Sequence, residues 1–291
     1  MSVDRDNGGT DYITPLGKIS FEDFTSLPRY PRPVEFHVSR IAHVTTEQGM
    51  DGILGSGGFK GGRRDSALQW WGLVNGREEI AGAEQRYLDR EFPNRTEEEK
   101  RRQKKILRKF TKSPAFRDGS RYGNFRFTLK LEEVLQAYST QFCGGKDPTL
   151  RVWETIVYKQ EIMYSVLVHS PDVHDYDSYP KLGDNEEGVC VYRNGEMIWF
   201  AQAISEKHTL RLTGDIYGKV VSTEKVRIGV FYVWDHVTLA FHIPKGKTLS
   251  FPPENLKKAL KACGKGDTDL NPQVDEKNAK AVVRAMKRKQ T

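Results

Sequence analysis

Arg40-Ile-Ala-His43-Val-Thr45 places one histidine in a run of β-branched and aromatic residues that favours a strand. Ile53-Leu54 follows ten and eleven positions later, and Gly57-Gly58-Phe59 closes the unit. An imidazole in such a strand can bond a hydroxyl through one ring nitrogen while a backbone group fixes the other. Far along the chain, Glu154-Thr-Ile-Val-Tyr158 runs into a second apolar stretch, Ile162 to Val168. A carboxylate held there can stabilise positive charge that develops on a bound molecule. Between the two lie Gly61-Gly62-Arg63-Arg64 and the pair Trp70-Trp71. Arg63 and Arg64 have guanidinium groups that grip a pyrophosphate bidentately, although a plain surface loop has the same composition.

The His43 unit and the Glu154 stretch resemble the ADP-ribosyltransferase superfamily, over about residues 34–168. In that family a strand ending in His-x-Thr or His-x-Ser holds NAD, the next helix carries an Ile-Leu pair, and a Gly-Phe step follows. The resemblance implies that His43, Val44 and Thr45 bind NAD, the imidazole on a ribose hydroxyl and the neighbouring N–H and C=O on the carboxamide. It implies an aromatic face against nicotinamide, from Trp70 or Trp71 or else Tyr122. It also implies that Glu154 and His43 are catalytic. Nicotinamide would leave, Glu154 would shield the ribosyl cation, and an unknown macromolecular acceptor would capture ADP-ribose. Val44 departs from the family, where a small residue usually follows the histidine.

Other readings of the same residues stay open. A half-buried strand histidine satisfied by a backbone carbonyl has the same local sequence as His43, and His37 competes with it. Glu154 beside Trp153 faces solvent equally well by simple alternation. Adjacent tryptophans point to opposite faces of a strand, so at most one of Trp70 and Trp71 lines a pocket.

The elements that must position these residues are legible in the spacing. Residues 1–30 are polar and Gly-rich and predict a flexible N-terminus, and Pro28, Pro31 and Pro33 lead in to a domain that begins near Val34. Phe36 to Val44 predicts a strand, and Thr46 caps a helix over 47–54. Helices are predicted over 80–92, over 96–112 behind the Thr96-Glu99 capping box, and over Leu131 to Gly144. Strands are predicted over 122–129, 152–158, 162–168, 226–233 and 237–243, with a hairpin at Arg193-Asn194-Gly195. These elements make the fold class α+β, and the resemblance implies an ADP-ribosyltransferase-like split antiparallel sheet with helices over 31–170. A β-rich extension over 171–252 packs on the same core, and 253–291 forms a short helix and a basic tail.

Composition narrows the class. Of 291 residues, 37% are hydrophobic and 29% charged, enough apolar area to repay chain entropy. The first residues, MSVDRDNGG, lack an apolar leader and no apolar run is long enough to span a bilayer, so neither export nor insertion is expected. Cys143, Cys190 and Cys263 are odd in number and show no zinc spacing, which predicts reduced thiols in the cytosol or nucleus and no metal. A net charge of +7 and the run Lys100, Arg101, Lys104, Lys105, Arg108 allow a nucleic-acid partner, although such a run is usually a solvated helix face.

Overall fold

The computed structural model describes residues 17–18, 34–62, 67–103, 107, 116, 119–120, 123–158, 161–183, 190–201, 203–204, 209–211, 223–225, 233–234, 236–265 and 276–288. What reads as one strand from Phe36 to Val44 is divided at Ser39 into Val34–Val38 (β1) and Arg40–Thr45 (β2). The two belong to different sheets. Thr46 then caps Glu47–Ser56 (α1), its side chain accepting from Gly49 N–H, and Gly57 ends the helix at φ 68°, a left-handed position that glycine occupies without strain. Gly58–Phe59 (β3) and Leu68–Leu73 (β4) follow.

Arg77–Glu91 (α2) forms where a helix is expected over 80–92 and begins three residues earlier. Glu97–Arg102 (α3) opens with both hydrogen bonds of the Thr96-Glu99 capping box and ends after six residues, where Gln103 leaves the helix at φ −59°, ψ 121°. The helix expected over 96–112 is therefore broken at Gln103, and residues 104–106 and 108–112 lie outside the described residues. Phe125–Lys130 (β5) leads directly into Leu131–Phe142 (α4). Thr149–Tyr158 (β6) and Glu161–His169 (β7) form an antiparallel pair. The predicted hairpin is present as Cys190–Arg193 (β8) and Glu196–Ala201 (β9), with Asn194 at φ 52° and Gly195 at φ 82°. Two consecutive positive φ values are what a type I′ turn requires, and Asn-Gly supplies them.

His236–His242 (β10) and Leu249–Ser250 (β11) precede Pro253–Ala259 (α5). The helix predicted over Asn255 to Ala262 stops early, and Leu260–Ala262 (β12) turns into a strand on the edge of the main sheet. Glu276–Arg288 (α6) packs Ala279 and Val283 into the core. Most of the strand expected over 226–233 lies outside the described residues.

The main sheet runs, edge to edge, from the two-residue strand Gly17–Lys18 through β6, β7, β10, β4, β2 and β5 to β12. β7 and β10 are parallel and the other pairs antiparallel. The fold is mixed α+β with a mostly antiparallel sheet. Residues 171–252 are not peripheral to it, because they supply β10, an inner strand between β7 and β4. A three-stranded sheet, β8-β9-β1, joins the early and late halves of the chain.

The period of two assigns the faces. Ile41, Trp71, Leu73, Phe127, Leu129, Val166, Leu239 and Phe241 enter one large core, which also holds Met50, Tyr138 and Trp199. On the opposite face Leu68, Leu167 and Ala240 form a smaller cluster with Trp70, Trp153 and Tyr176. The three cysteines are buried thiols, none of them in a disulfide. Among the described residues no helix is long and apolar enough to cross a membrane.

Two glycines hold the end of β2. A Cβ on Gly123 would lie 2.0 Å from the carbonyl oxygen of Thr45, whereas one on Gly49 would lie 2.0 Å from the Thr45 hydroxyl. Backbone cannot turn aside, but a hydroxyl can. Gly123→Ala is therefore expected to destabilise by about 1–3 kcal/mol. Gly49→Ala, offset by better helix propensity in α1, is expected to cost less. Thermal melts of the two variants check the order; equal losses would contradict it.

Candidate functional site

The ladder between β2 and β4 is short. Its register covers Ile41 with Leu73 and Ala42 with Gly72, whereas on the other side β2 pairs with β5 all the way from Arg40 to Thr45. β4 continues to pair with β10 down to Leu68. Beyond Ala42, then, β4 leaves β2 and a gap opens inside the sheet.

The groups that line this gap follow from strand alternation. Val74 N–H donates to Arg40 C=O at 2.9 Å, so Arg40, Ala42 and Val44 all turn their peptide groups toward β4. Val44 is the first of these with no β4 residue opposite, and its N–H and C=O face the gap. Thr45 points its peptide the other way, into the ladder with Phe125. Its hydroxyl lies against Gly49 of α1. Of the two neighbours predicted to grip an amide, Val44 is the one whose backbone edge toward β4 has no ladder partner among the described residues.

His43 bridges the gap. Its Nδ1 lies 2.9 Å from Trp70 C=O, and the Gln69 amide nitrogen lies 3.0 Å from Nδ1 and 3.3 Å from Nε2. With Nδ1–H donating to Trp70, Nε2 is the acceptor and Gln69 is its donor. The ring is half-buried, with Phe59 edge-on at 5.6 Å and Trp71 at 5.7 Å. Burial pushes the imidazole down to about 4, and the Trp70 carbonyl opposes that shift. His43 is therefore neutral near pH 7.

The two tryptophans divide as alternation requires. Trp71 is 1% exposed and packs at 4.6 Å against Phe59, on the His43 face. Its indole Nε1–H is buried and has no partner among the described residues. Trp70 gives His43 its carbonyl but sends its ring to the opposite face, where it stacks on Trp153 at 5.8 Å and 27°. Trp153 is the extra residue of a β-bulge between Val152 and Glu154, and the small Ala240 leaves room for the two indoles to meet.

Glu154 is not brought next to His43 by the strand order. It pairs with Ser165 on β6, and β7, β10 and β4 stand between β6 and β2. Four inter-strand steps separate the two backbones by roughly 19 Å along the sheet. No family model, curated protein or solved structure matches this chain. Arg63, Arg64, Tyr122, Lys104, Lys105 and Arg108 lie outside the described residues. Within α3, Lys100 pairs with Glu97 at 2.8 Å, Arg102 pairs with Glu98, and Arg101 donates to Glu97 C=O.

His37, the competing histidine, belongs to β1 in the smaller sheet and lies 2.6 Å from a Glu35 oxygen. Among the described residues no cluster of His, Cys, Asp and Glu has metal-holding geometry. Sequence reasoning passed over two participants. Gln69 carries no motif, and only the register that sets it beside His43 reveals it. Arg151 is buried on the outer face, donating to His169 Nε2 at 3.0 Å and to Tyr179 C=O at 2.6 Å and pairing with Asp177, which pins the loop after β7.

The His43 shift has a definite sign. Its folded value, about 4, lies below the ordinary 6.5, so the unfolded chain takes up this proton first. The contribution is whole above pH 6.5, falls as pH drops toward 4, and is level below that. Lowering the pH from 7 to 5 is expected to cost about 2 kcal/mol through this group. Urea midpoints of the wild type and His43→Gln at both pH values check this, the variant losing that part of the slope. Identical slopes would show that the imidazole is not buried as described.

Proposed function

We propose that this chain is an ADP-ribosyltransferase-like protein that binds NAD in the gap between β2 and β4. The observation that carries the reading is the gap itself: His43 is fixed by the Trp70 carbonyl while the peptide edge of Val44 has no ladder partner on β4. A neutral imidazole with one nitrogen already anchored offers its other nitrogen to a sugar hydroxyl once the Gln69 amide turns aside. The N–H and C=O of one strand residue match the acceptor and donor of a carboxamide. Trp71 adds an aromatic surface and an unused N–H beside the ring. These features fit the nicotinamide riboside half of NAD.

Bound NAD supplies a carbon that becomes electrophilic as nicotinamide leaves. Transfer then needs an acid at that sugar, and Glu154 stands on β6 with three strands between it and β2. The separation favours binding without turnover over transfer to a macromolecular acceptor. The nucleic-acid alternative draws less support, because Lys100 and Arg102 are already paired with acids of their own helix.

Incubation with NAD is expected to raise the melting temperature without releasing nicotinamide. At a hundredfold excess over its dissociation constant the ligand adds about 2.7 kcal/mol. His43→Ala should abolish the shift. Release of nicotinamide that stops in Glu154→Gln would overturn the silent form in favour of the transferase, and no shift with NAD would remove the reading altogether.

A further inference from the structure

The gap does not end at His43. Two residues along β4 from Trp70, Leu68 C=O accepts from Gly62 N–H at 2.9 Å, so the Lys60–Gly62 loop closes the side that β2 has left. Here the loop meets the turn after β10, and the two line a cleft of about 230 Å³ with Ala67, Ile243 and Pro244 at its base.

The cleft is built by backbone constraints. Ile243 N–H donates to Ala67 C=O at 2.6 Å, and Lys247 N–H donates to Pro244 C=O at 2.9 Å. Gly246 stands at φ 78°, the third position of a type II turn, so Pro244-Lys245-Gly246-Lys247 is a turn that needs its glycine. A Cβ on Gly61 would lie 2.9 Å from both the Ala67 and Ile243 carbonyl oxygens, which holds the first loop flat against the second. Lys60 from one loop and Lys245 and Lys247 from the other therefore line a single opening.

Their charges have no acid beside them among the described residues. Among the described residues none of these three lysines makes an ion pair, whereas Lys100, Lys130 and Lys146 each lie within 4 Å of a carboxylate. Three like charges around one small cleft repel each other until an anion enters. Ammonium groups on flexible stems suit phosphate oxygens as point charges.

We propose that Lys60, Lys245 and Lys247 form a diphosphate-binding site. The choice of a diphosphate rests on the reading above, since the cleft begins two residues, roughly 7 Å, along β4 from the Trp70 carbonyl that anchors His43 and would take the linked phosphates of the same dinucleotide. The turn Pro244–Lys247, which carries no motif of its own, supplies most of the charge. Arg63 and Arg64 follow directly on the Gly61-Gly62 step that closes the cleft.

Inorganic pyrophosphate, titrated calorimetrically into the full chain, tests the site without any nucleotide. Saturable binding is expected, weakening as salt rises. Lys245→Gln with Lys247→Gln should weaken it at least tenfold, whereas the charge-matched Lys258→Gln with Lys261→Gln should leave it unchanged. Absence of saturable binding, or equal weakening in both double variants, overturns the proposal. Nicotinamide riboside, which has no phosphate, separates the two claims. Pyrophosphate binding that survives while the riboside fails to bind keeps the lysine site and removes the reading of the His43 gap.

Discussion

One hydrogen bond replaces a stretch of ladder. Where β2 and β4 would ordinarily continue to pair, the His43 Nδ1–H donates to the carbonyl of Trp70, and the imidazole spans what the backbone does not. Neighbouring strands lie about 4.8 Å apart when paired, too close for a side chain to enter between them. A ring held across that space keeps the strands splayed and leaves Val44 with donor and acceptor unspent. An unpaired backbone group in a sheet interior is unfavourable unless solvent or a ligand meets it, which is the physical reason for proposing the opening as a site.

The rest of the fold keeps this opening from closing. β5 pairs with β2 along its full length, so the His43 side of the gap cannot drift. β10 does the same for β4 over Leu68 to Gly72. Gly123 admits the Thr45 carbonyl at a distance no other residue allows, and Phe59 and Trp71 press on the imidazole from the core. At the far end the glycine loop and the lysine turn close the same gap with positive charge. Neutral hydrogen-bonding groups thus lie at one end and lysines at the other, the arrangement on which the proposed placing of a carboxamide and of linked phosphates rests.

Local chemistry made much of this legible in the sequence. The Thr46 cap, the Thr96-Glu99 box and the Asn194-Gly195 turn are short-range devices, and each forms where its residues stand. His43 and its backbone anchor were also foreseeable, since a strand histidine must satisfy a ring nitrogen. Long-range facts were not. Ser39 divides a continuous β-forming run because β1 is claimed by β9, more than 150 residues later. Leu260–Ala262 becomes a strand because β5 offers a free edge, against a local helical pattern. The separation of Glu154 from His43 depends on β7, β10 and β4 entering between them, and no spacing in the sequence encodes strand order.

The account turns on the state of one peptide group. Amide hydrogen exchange at Val44, followed by NMR, reads it directly: in the free protein this N–H is expected to exchange far faster than those of His43 and Thr45, and to slow markedly when NAD saturates the chain. A Val44 amide already protected without ligand would mean that β2 and β4 are zipped and the gap does not exist. One that stays fast under saturating NAD would mean that whatever NAD does, it does not bind there.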